Sequence, residues 1–158
     1  MGDELPTFSK DTKVTVDRSR AEIERTLQRY GASSFMYGWN ENAAVVAFEP
    51  AGRRIKFVLP LPDAGDPEFL HTPSGRRRTQ PQAEKEYERA ARQRWRALAL
   101  AIKAKLEMVE SGITTLEQGF LAYIVLPSGQ SVGEWLAPQV EQAYISGCMP
   151  ALLPLMEE

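Results

Sequence analysis

The longest regular pattern in the chain is a stripe of apolar side chains with helical spacing between residues 81 and 111. At about 100° per residue these side chains fall on one face roughly 100° wide. They are Tyr87, Ala91, Trp95, Leu98, Ile102, Leu106 and Val109. Pro81 stands at a favoured first helical position, and Gly112 follows the stripe as a terminator. The pattern predicts a helix of roughly 45 Å whose apolar face belongs to the core.

Three segments that precede this helix have the residue types and the alternation of β-strands. They are rich in β-branched and aromatic residues, turn-forming sequences separate them, and they comprise residues 35–39, 43–48 and 53–59. In the last segment Ile55, Phe57 and Leu59 alternate with other residues, which predicts one face toward the core. The short connections between the three segments predict an antiparallel meander.

Two capping-box patterns mark further helices. Ser19 with Glu22 predicts the start of a helix in the first third of the chain. Ser131 with Glu134 predicts a second start, of a helix that Pro138 kinks or restarts.

The remaining segments carry weaker patterns. Residues 1–13 are polar and aperiodic, which predicts a flexible N-terminal lead-in, and Val14 and Val16 are assigned to a short strand behind it. Residues 60–80 contain four prolines, which predicts a long loop without regular elements. The apolar run at residues 120–126 fits a strand or a buried helix, and a strand is the preferred interpretation.

These elements together predict an α+β fold, in which an antiparallel three- or four-stranded sheet packs on one long helix plus two or more shorter helices. We expect a single domain over residues 14–147, followed by an apolar C-terminal tail at residues 148–158. The apolar side chains of the tail need burial. Exchange of this arm between copies, giving a homo-oligomer, is one way to provide it.

The composition is that of a soluble globular protein, with 158 residues, 43% apolar and 25% charged. Cys148 is the only cysteine, so an intramolecular disulfide is excluded and a reducing compartment is favoured. The first residues are acidic with no apolar run behind them, unlike a signal peptide, and no apolar run is long enough for a bilayer. We therefore expect a cytoplasmic protein that has no membrane contact.

Charge is distributed very unevenly along the chain. Residues 71–105 contain ten cations, seven of them arginine, and three acids, which gives this window a formal charge of +7. The remaining nine cations and eighteen acids give the rest of the chain −9, although the whole chain is only −2. Such a division indicates a polyanionic partner or internal neutralisation.

Five cations of the predicted long helix fall together on a face roughly 110° from its apolar stripe. We call this set the basic ridge, and its members are Lys85, Arg89, Arg92, Arg96 and Lys103. It spans about 27 Å, and like charges one turn apart each cost the helix a few tenths of a kcal/mol. An anion facing the ridge would offset that cost. A nucleic-acid backbone, neutralisation by acids of this chain or of another subunit, and a merely solvated face are the three interpretations.

Other cations extend the predicted nucleic-acid site beyond the ridge. The loop before the long helix carries Arg76, Arg77 and Arg78, and the third strand segment contributes Arg54 and Lys56. These residues and the ridge are expected to contact phosphates with little base preference, because the chain has no zinc-finger or helix-turn-helix pattern. Single-stranded DNA is one candidate ligand.

Three aromatic side chains at alternate positions of the first strand segment bear on whether the ligand is single-stranded, because proteins that bind single strands stack bases on exposed aromatic rings. For Phe35, Tyr37 and Trp39, core packing is preferred over an exposed stacking surface for bases.

The sequence contains no recognisable set of catalytic or metal-binding residues. One cysteine and the single histidine, His71, cannot form a common zinc site, and no glycine-rich phosphate loop is present. The acids Asp63, Asp66 and Glu68 are more typical of a solvated loop than of a cation site. The sequence therefore predicts a protein that is not an enzyme and that needs no cofactor and no metal.

Three blocks of the chain, at residues 52–60, 92–107 and 113–144, resemble uncharacterised small proteins encoded in bacteriophage and prophage genomes. The resemblance implies a phage context in a bacterial host cell and carries no site residues. The predicted function is that of a non-enzymatic nucleic-acid-binding accessory protein. The alternative is a protein-binding modulator of a host defence or replication protein, acting through the acidic surface or the apolar tail.

Overall fold

The computed structural model describes residues 8–40 and 42–149, with side chains from Val16 onward. Five helices, three strands and one short 3₁₀ turn follow one another along the described chain. They are α1 (Phe8–Arg29), β1 (Phe35–Trp39), β2 (Ala43–Phe48), β3 (Ile55–Pro60), α2 (Pro67–Leu70), α3 (Gln80–Glu110), α4 (Leu116–Phe120), the 3₁₀ turn (Leu121–Tyr123) and α5 (Val132–Ser146).

The three strands form one antiparallel sheet in the order β1-β2-β3. Val46 at the centre of β2 pairs with Tyr37 on one side and with Phe57 on the other. Because side chains alternate across a strand, Ala44, Val46 and Phe48 all face the same layer of helices. The predicted α+β fold and meander are confirmed.

The core lies between this face of the sheet and the helices α1 and α3. Its members include Ile23 and Leu27 of α1, and Trp95 and Ile102 of α3, all buried together with alternate residues of β2 and β3. Phe120 closes the end of the core, where its ring makes edge contacts with the rings of two strand residues. The apolar stripe predicted for α3 is the face that packs on the sheet.

The predicted long helix is confirmed almost to the residue. It begins at Gln80, where the Thr79 hydroxyl accepts a hydrogen bond from the Gln82 amide and the Gln82 side chain accepts one in return. The same reciprocal cap opens α5 at Ser131 with Glu134, as the sequence predicts. Along its length α5 continues through Pro138 as one helix.

The predicted start of the first helix at Ser19 is wrong. α1 begins at Phe8, so residues 8–13, expected in the lead-in, are helical, and Val14 and Val16 belong to a helix instead of a strand. The physical reason is periodicity: Val16 precedes Ile23 by two turns, and both pack on the core. Ser19 therefore lies in the middle of α1.

The predictions for residues 120–126 and 60–80 are also wrong. The segment 120–126 is no strand, since Phe120 ends α4, Leu121–Tyr123 is a 3₁₀ turn, and only isolated bridges at Ile124 and Val125 follow. The loop 60–80 contains a short helix, α2, where Pro67 occupies a first-turn position. The apolar tail from residue 150 onward lies outside the described residues.

Within the described residues, no helix combines the length and the apolar character that crossing a bilayer requires.

Candidate functional site

The five cations of the basic ridge are all exposed on α3. None of them forms an ion pair with an acid within residues 8–40 and 42–149, where the ion pairs involve other residues. Internal neutralisation by the described acids, one of the three interpretations of the ridge, therefore receives no support. No close ion pair to these five cations offsets the like-charge cost along α3 within this part of the chain.

A crevice of about 570 Å³ lies beside the ridge, between α1 and α3. We call it the α1–α3 crevice. Its lining residues are Arg18, Ser19, Glu22, Arg89, Arg92, Gln93, Arg96, Ala99 and Leu100. Four arginines and one glutamate give this lining a formal charge of +3. Three of the arginines belong to the ridge, and the fourth comes from the opposite helix.

The crevice exists because α1 and α3 run side by side in the same direction. Residues 18–22 of α1 lie opposite residues 89–100 of α3, while Tyr30 at the end of α1 meets Glu107 near the end of α3. On α1, Ile23 faces the core. Arg18 and Glu22, one turn apart, consequently lie on the side of α1 that borders the crevice.

Sequence reasoning missed Arg18 as a site residue. It lies one position before the predicted helix start at Ser19, so the sequence pattern did not place it on a helix. The available signal was the seven-residue spacing between Val16 and Ile23, which places Arg18 on a helix.

The ridge does not extend to the far end of the helix pair. There the Tyr30 hydroxyl donates to Glu107 Oε1 at 2.6 Å, and the Arg29 guanidinium lies 3.7 Å from the same oxygen. The hydrogen bond to Glu107 raises the pKa of Tyr30 to about 12, so the phenol remains a donor well into the alkaline range. These acidic contacts bound the basic surface on that side.

Two further cations of α3 have structural partners. Arg94 donates to the Pro60 carbonyl oxygen at 2.6 Å, which ties α3 to the end of β3. Lys105 donates to the Gly119 carbonyl oxygen at 2.8 Å and lies over the rings of Phe120 and Tyr123. Arg94 and Lys105 therefore contribute to the packing of α3 on its neighbours, whereas the five cations of the basic ridge do not have such partners among the described residues.

The structure does not bring Arg54 and Lys56 to the ridge. Arg54 forms an ion pair with Glu49 at 2.9 Å. Lys56 Nζ lies 3.7 Å from Glu134 Oε2 and donates to the Gly129 carbonyl oxygen at 3.3 Å, on the side of the sheet where α5 begins. Hydrogen bonds from Ser131 and the charge of Lys56 lower the pKa of Glu134, so the carboxylate stays ionised further into the acidic range.

The three loop arginines have different surroundings. Arg76 and Arg77 are exposed just before α3. Arg78 is half-buried, and its Nη1 donates to the carbonyl oxygens of Glu68, Phe69 and His71, at 2.6, 3.3 and 2.7 Å. The guanidinium thus satisfies the carbonyl groups at the end of α2 and closes the loop onto itself.

We expect Arg78→Ala to destabilise the protein by about 1–2 kcal/mol, because it removes charge-assisted hydrogen bonds to three carbonyl groups. Urea unfolding measures the loss. Hydrogen exchange should accelerate at the Arg78 amide, which donates to the Leu70 carbonyl oxygen in the same loop. Arg77→Ala is the control, since the Arg77 side chain is exposed and makes no hydrogen bond or ion pair with another described residue. Equal stabilities of the two variants would contradict the structural role of Arg78.

The aromatic residues of β1 divide between core and surface. Phe35 and Tyr37 are half-buried and pack against the core, which confirms the preferred interpretation for both. Trp39 differs, because it is 62% exposed at the end of the edge strand and stacks on Tyr37 with ring centroids 5.3 Å apart. The Arg20 guanidinium lies 4.9 Å from the centre of the Tyr37 ring.

The described part of the chain has few histidine or cysteine side chains that could act as nucleophiles or metal ligands. His71 and Cys148 are both exposed, and no group of three or more potential metal-ligating side chains is found among residues 8–40 and 42–149. The described surface is therefore distinguished by its arginines. A comparison with known protein families, curated proteins and solved structures finds no match for the chain.

Proposed function

We propose that the protein is a non-enzymatic nucleic-acid-binding accessory protein that contacts the phosphate backbone. The observation that supports this proposal is the α1–α3 crevice, where four arginines converge around one glutamate without forming an ion pair within the described residues. The exposed Arg76 and Arg77 would add to this surface at the start of α3.

The guanidinium fork fits a phosphate or a carboxylate, and it is the arrangement of the arginines in a row that favours a phosphate backbone. A guanidinium presents its donors as a rigid fork that matches two phosphate oxygens, and a straight row of such groups suits a repeating linear anion. Phosphate contacts position a protein on nucleic acid without reporting sequence, so we expect little base preference. Arg54, Lys56 and Arg78 are left out of the proposed surface because each already has partners in the fold.

The proposal includes a cellular context. A phage or prophage origin, as the sequence resemblance implies, would place the protein in the cytoplasm of a bacterial host. There it would assist replication, recombination or the protection of single strands.

The test is fluorescence anisotropy with labelled single-stranded and double-stranded DNA at several salt concentrations. Five phosphate contacts to a single strand, one for each cation of the basic ridge, predict a slope of about −3.5 in log affinity against log salt. That slope corresponds to roughly a hundredfold loss of affinity between about 50 mM and about 200 mM salt. Absence of binding at the lowest salt would contradict the proposal.

A second candidate function rests on α5. This helix has no buried residue, although it carries several large apolar side chains that are exposed. They are Trp135, Val140, Tyr144 and Ile145. Such a surface favours the protein-binding modulator, because exposed apolar patches commonly mark interaction sites. If DNA fails to bind, α5 becomes the first surface to test against host proteins.

A further inference from the structure

We propose that the α1–α3 crevice seats one single strand of nucleic acid, so that the protein prefers single-stranded over double-stranded ligands. This inference rests on the proposed function and specifies its ligand. It follows from the position, the size and the lining of the crevice.

Cations line both walls of the crevice. Arg89, Arg92 and Arg96 approach from α3, and Arg18 approaches from α1. A ligand on the outer surface of α3 alone would not need a cation from α1. An anion between the helices is reached by donors from both, which is the arrangement that a backbone lying along the crevice would use.

The size of the crevice discriminates between the two forms of DNA. The crevice is a groove of about 570 Å³ at the surface where α1 and α3 meet, too small for a duplex to enter as a whole. A duplex presents two backbones on either side of grooves about 6 and 12 Å wide, so it can contact only the rims of such a crevice. A single backbone can enter it.

The lining also supplies surface that a single strand can use and a duplex cannot. Leu100 is 56% exposed, and it lines the crevice together with the buried Ala99. The sugars and the unpaired bases of a single strand have apolar faces that can lie on Leu100, whereas the bases of a duplex are stacked inside. The Ser19 hydroxyl offers one more polar contact on the α1 wall.

Arg18→Glu tests the inference, because Arg18 is the cation on the α1 wall and lies outside the ridge. We expect this variant to bind a labelled oligothymidylate about tenfold or more weakly than the original protein, since a charge-assisted phosphate contact is lost. Binding of a duplex should fall at most about twofold. Arg18→Gln, which removes the charge without reversing it, should give a smaller loss in the same direction.

The matched control is Arg53→Glu, which makes the same charge change at an exposed turn residue between β2 and β3. It should leave the ratio of single-strand to duplex affinity unchanged. Circular dichroism of each variant confirms that α1 is intact.

The outcomes separate this inference from the proposed function. The crevice inference is overturned if the protein binds duplex more tightly than single strands. It is also overturned if Arg18→Glu lowers the affinity for both forms equally or for neither. In each case the basic ridge remains as the contact surface. A protein that binds no DNA at low salt overturns both.

Discussion

Replacing Arg89, Arg92 and Arg96 together by glutamate should lower the affinity for single-stranded DNA by at least about a hundredfold at low salt. Each substitution removes a charge-assisted contact worth about 1.5–3 kcal/mol and puts a repelling charge in its place. All three side chains line the α1–α3 crevice. Fluorescence anisotropy measures the affinity, and the slope of affinity against salt should become shallower as well.

The fold of this triple variant should be unaffected. The three positions are exposed, glutamate is a good helix former, and the substitution exchanges one row of like charges for another whose cost is also a few tenths of a kcal/mol per pair. Thermal unfolding followed by circular dichroism serves as the check. The corresponding triple glutamine variant should bind with intermediate affinity. A triple glutamate variant that binds DNA as tightly as the original protein would contradict the proposed function.

Trp95→Ala should lower the free energy of unfolding by about 3–5 kcal/mol, the range for truncating a buried aromatic side chain. Trp95 is 2% exposed at the centre of α3, and its ring centroid lies 5.4 Å from that of Tyr37. Its removal would open a cavity between the long helix and the sheet. Urea denaturation, monitored by far-ultraviolet circular dichroism, measures the change.

Trp39 provides a matched control for this substitution. It is the same residue type, in contact with the same tyrosine ring, but it lies at the surface. Trp39→Ala should therefore cost less than about 1 kcal/mol. A similar cost at both positions would contradict the placement of Trp95 in the core and of Trp39 outside it.

The sequence was sufficient for α3 because many residues contribute to one period. Seven apolar positions on one face and a proline at the start leave little ambiguity. Fewer periodic positions defined α1, and Val14 and Val16 suggested a strand because β-branched residues favour that state on average. The packing of Val16 against the core decides the outcome for this segment, and a local propensity does not contain that information.

The sequence predicted the part of the candidate site that follows helical periodicity, and it could not predict the part that depends on contacts between distant residues. Helical spacing alone places Lys85, Arg89, Arg92, Arg96 and Lys103 on one face of α3, and the structure has them there. Which cations are engaged elsewhere depends on distant partners. Arg78 meets carbonyl groups of its own loop, and Lys56 meets an acid 78 positions later at Glu134. Such contacts leave no periodic trace in the sequence.

The parallel pairing of α1 and α3 gives the crevice a property that neither helix has alone. Its two walls come from segments that are far apart in sequence, so it forms only when these non-local contacts have been made. A ligand in the crevice would bind the native chain and not the unfolded one. By mass action, a ligand at about a hundred times its dissociation constant adds roughly 2.7 kcal/mol to the free energy of unfolding. Occupancy of the crevice would thus hold the first helix against the rest of the fold.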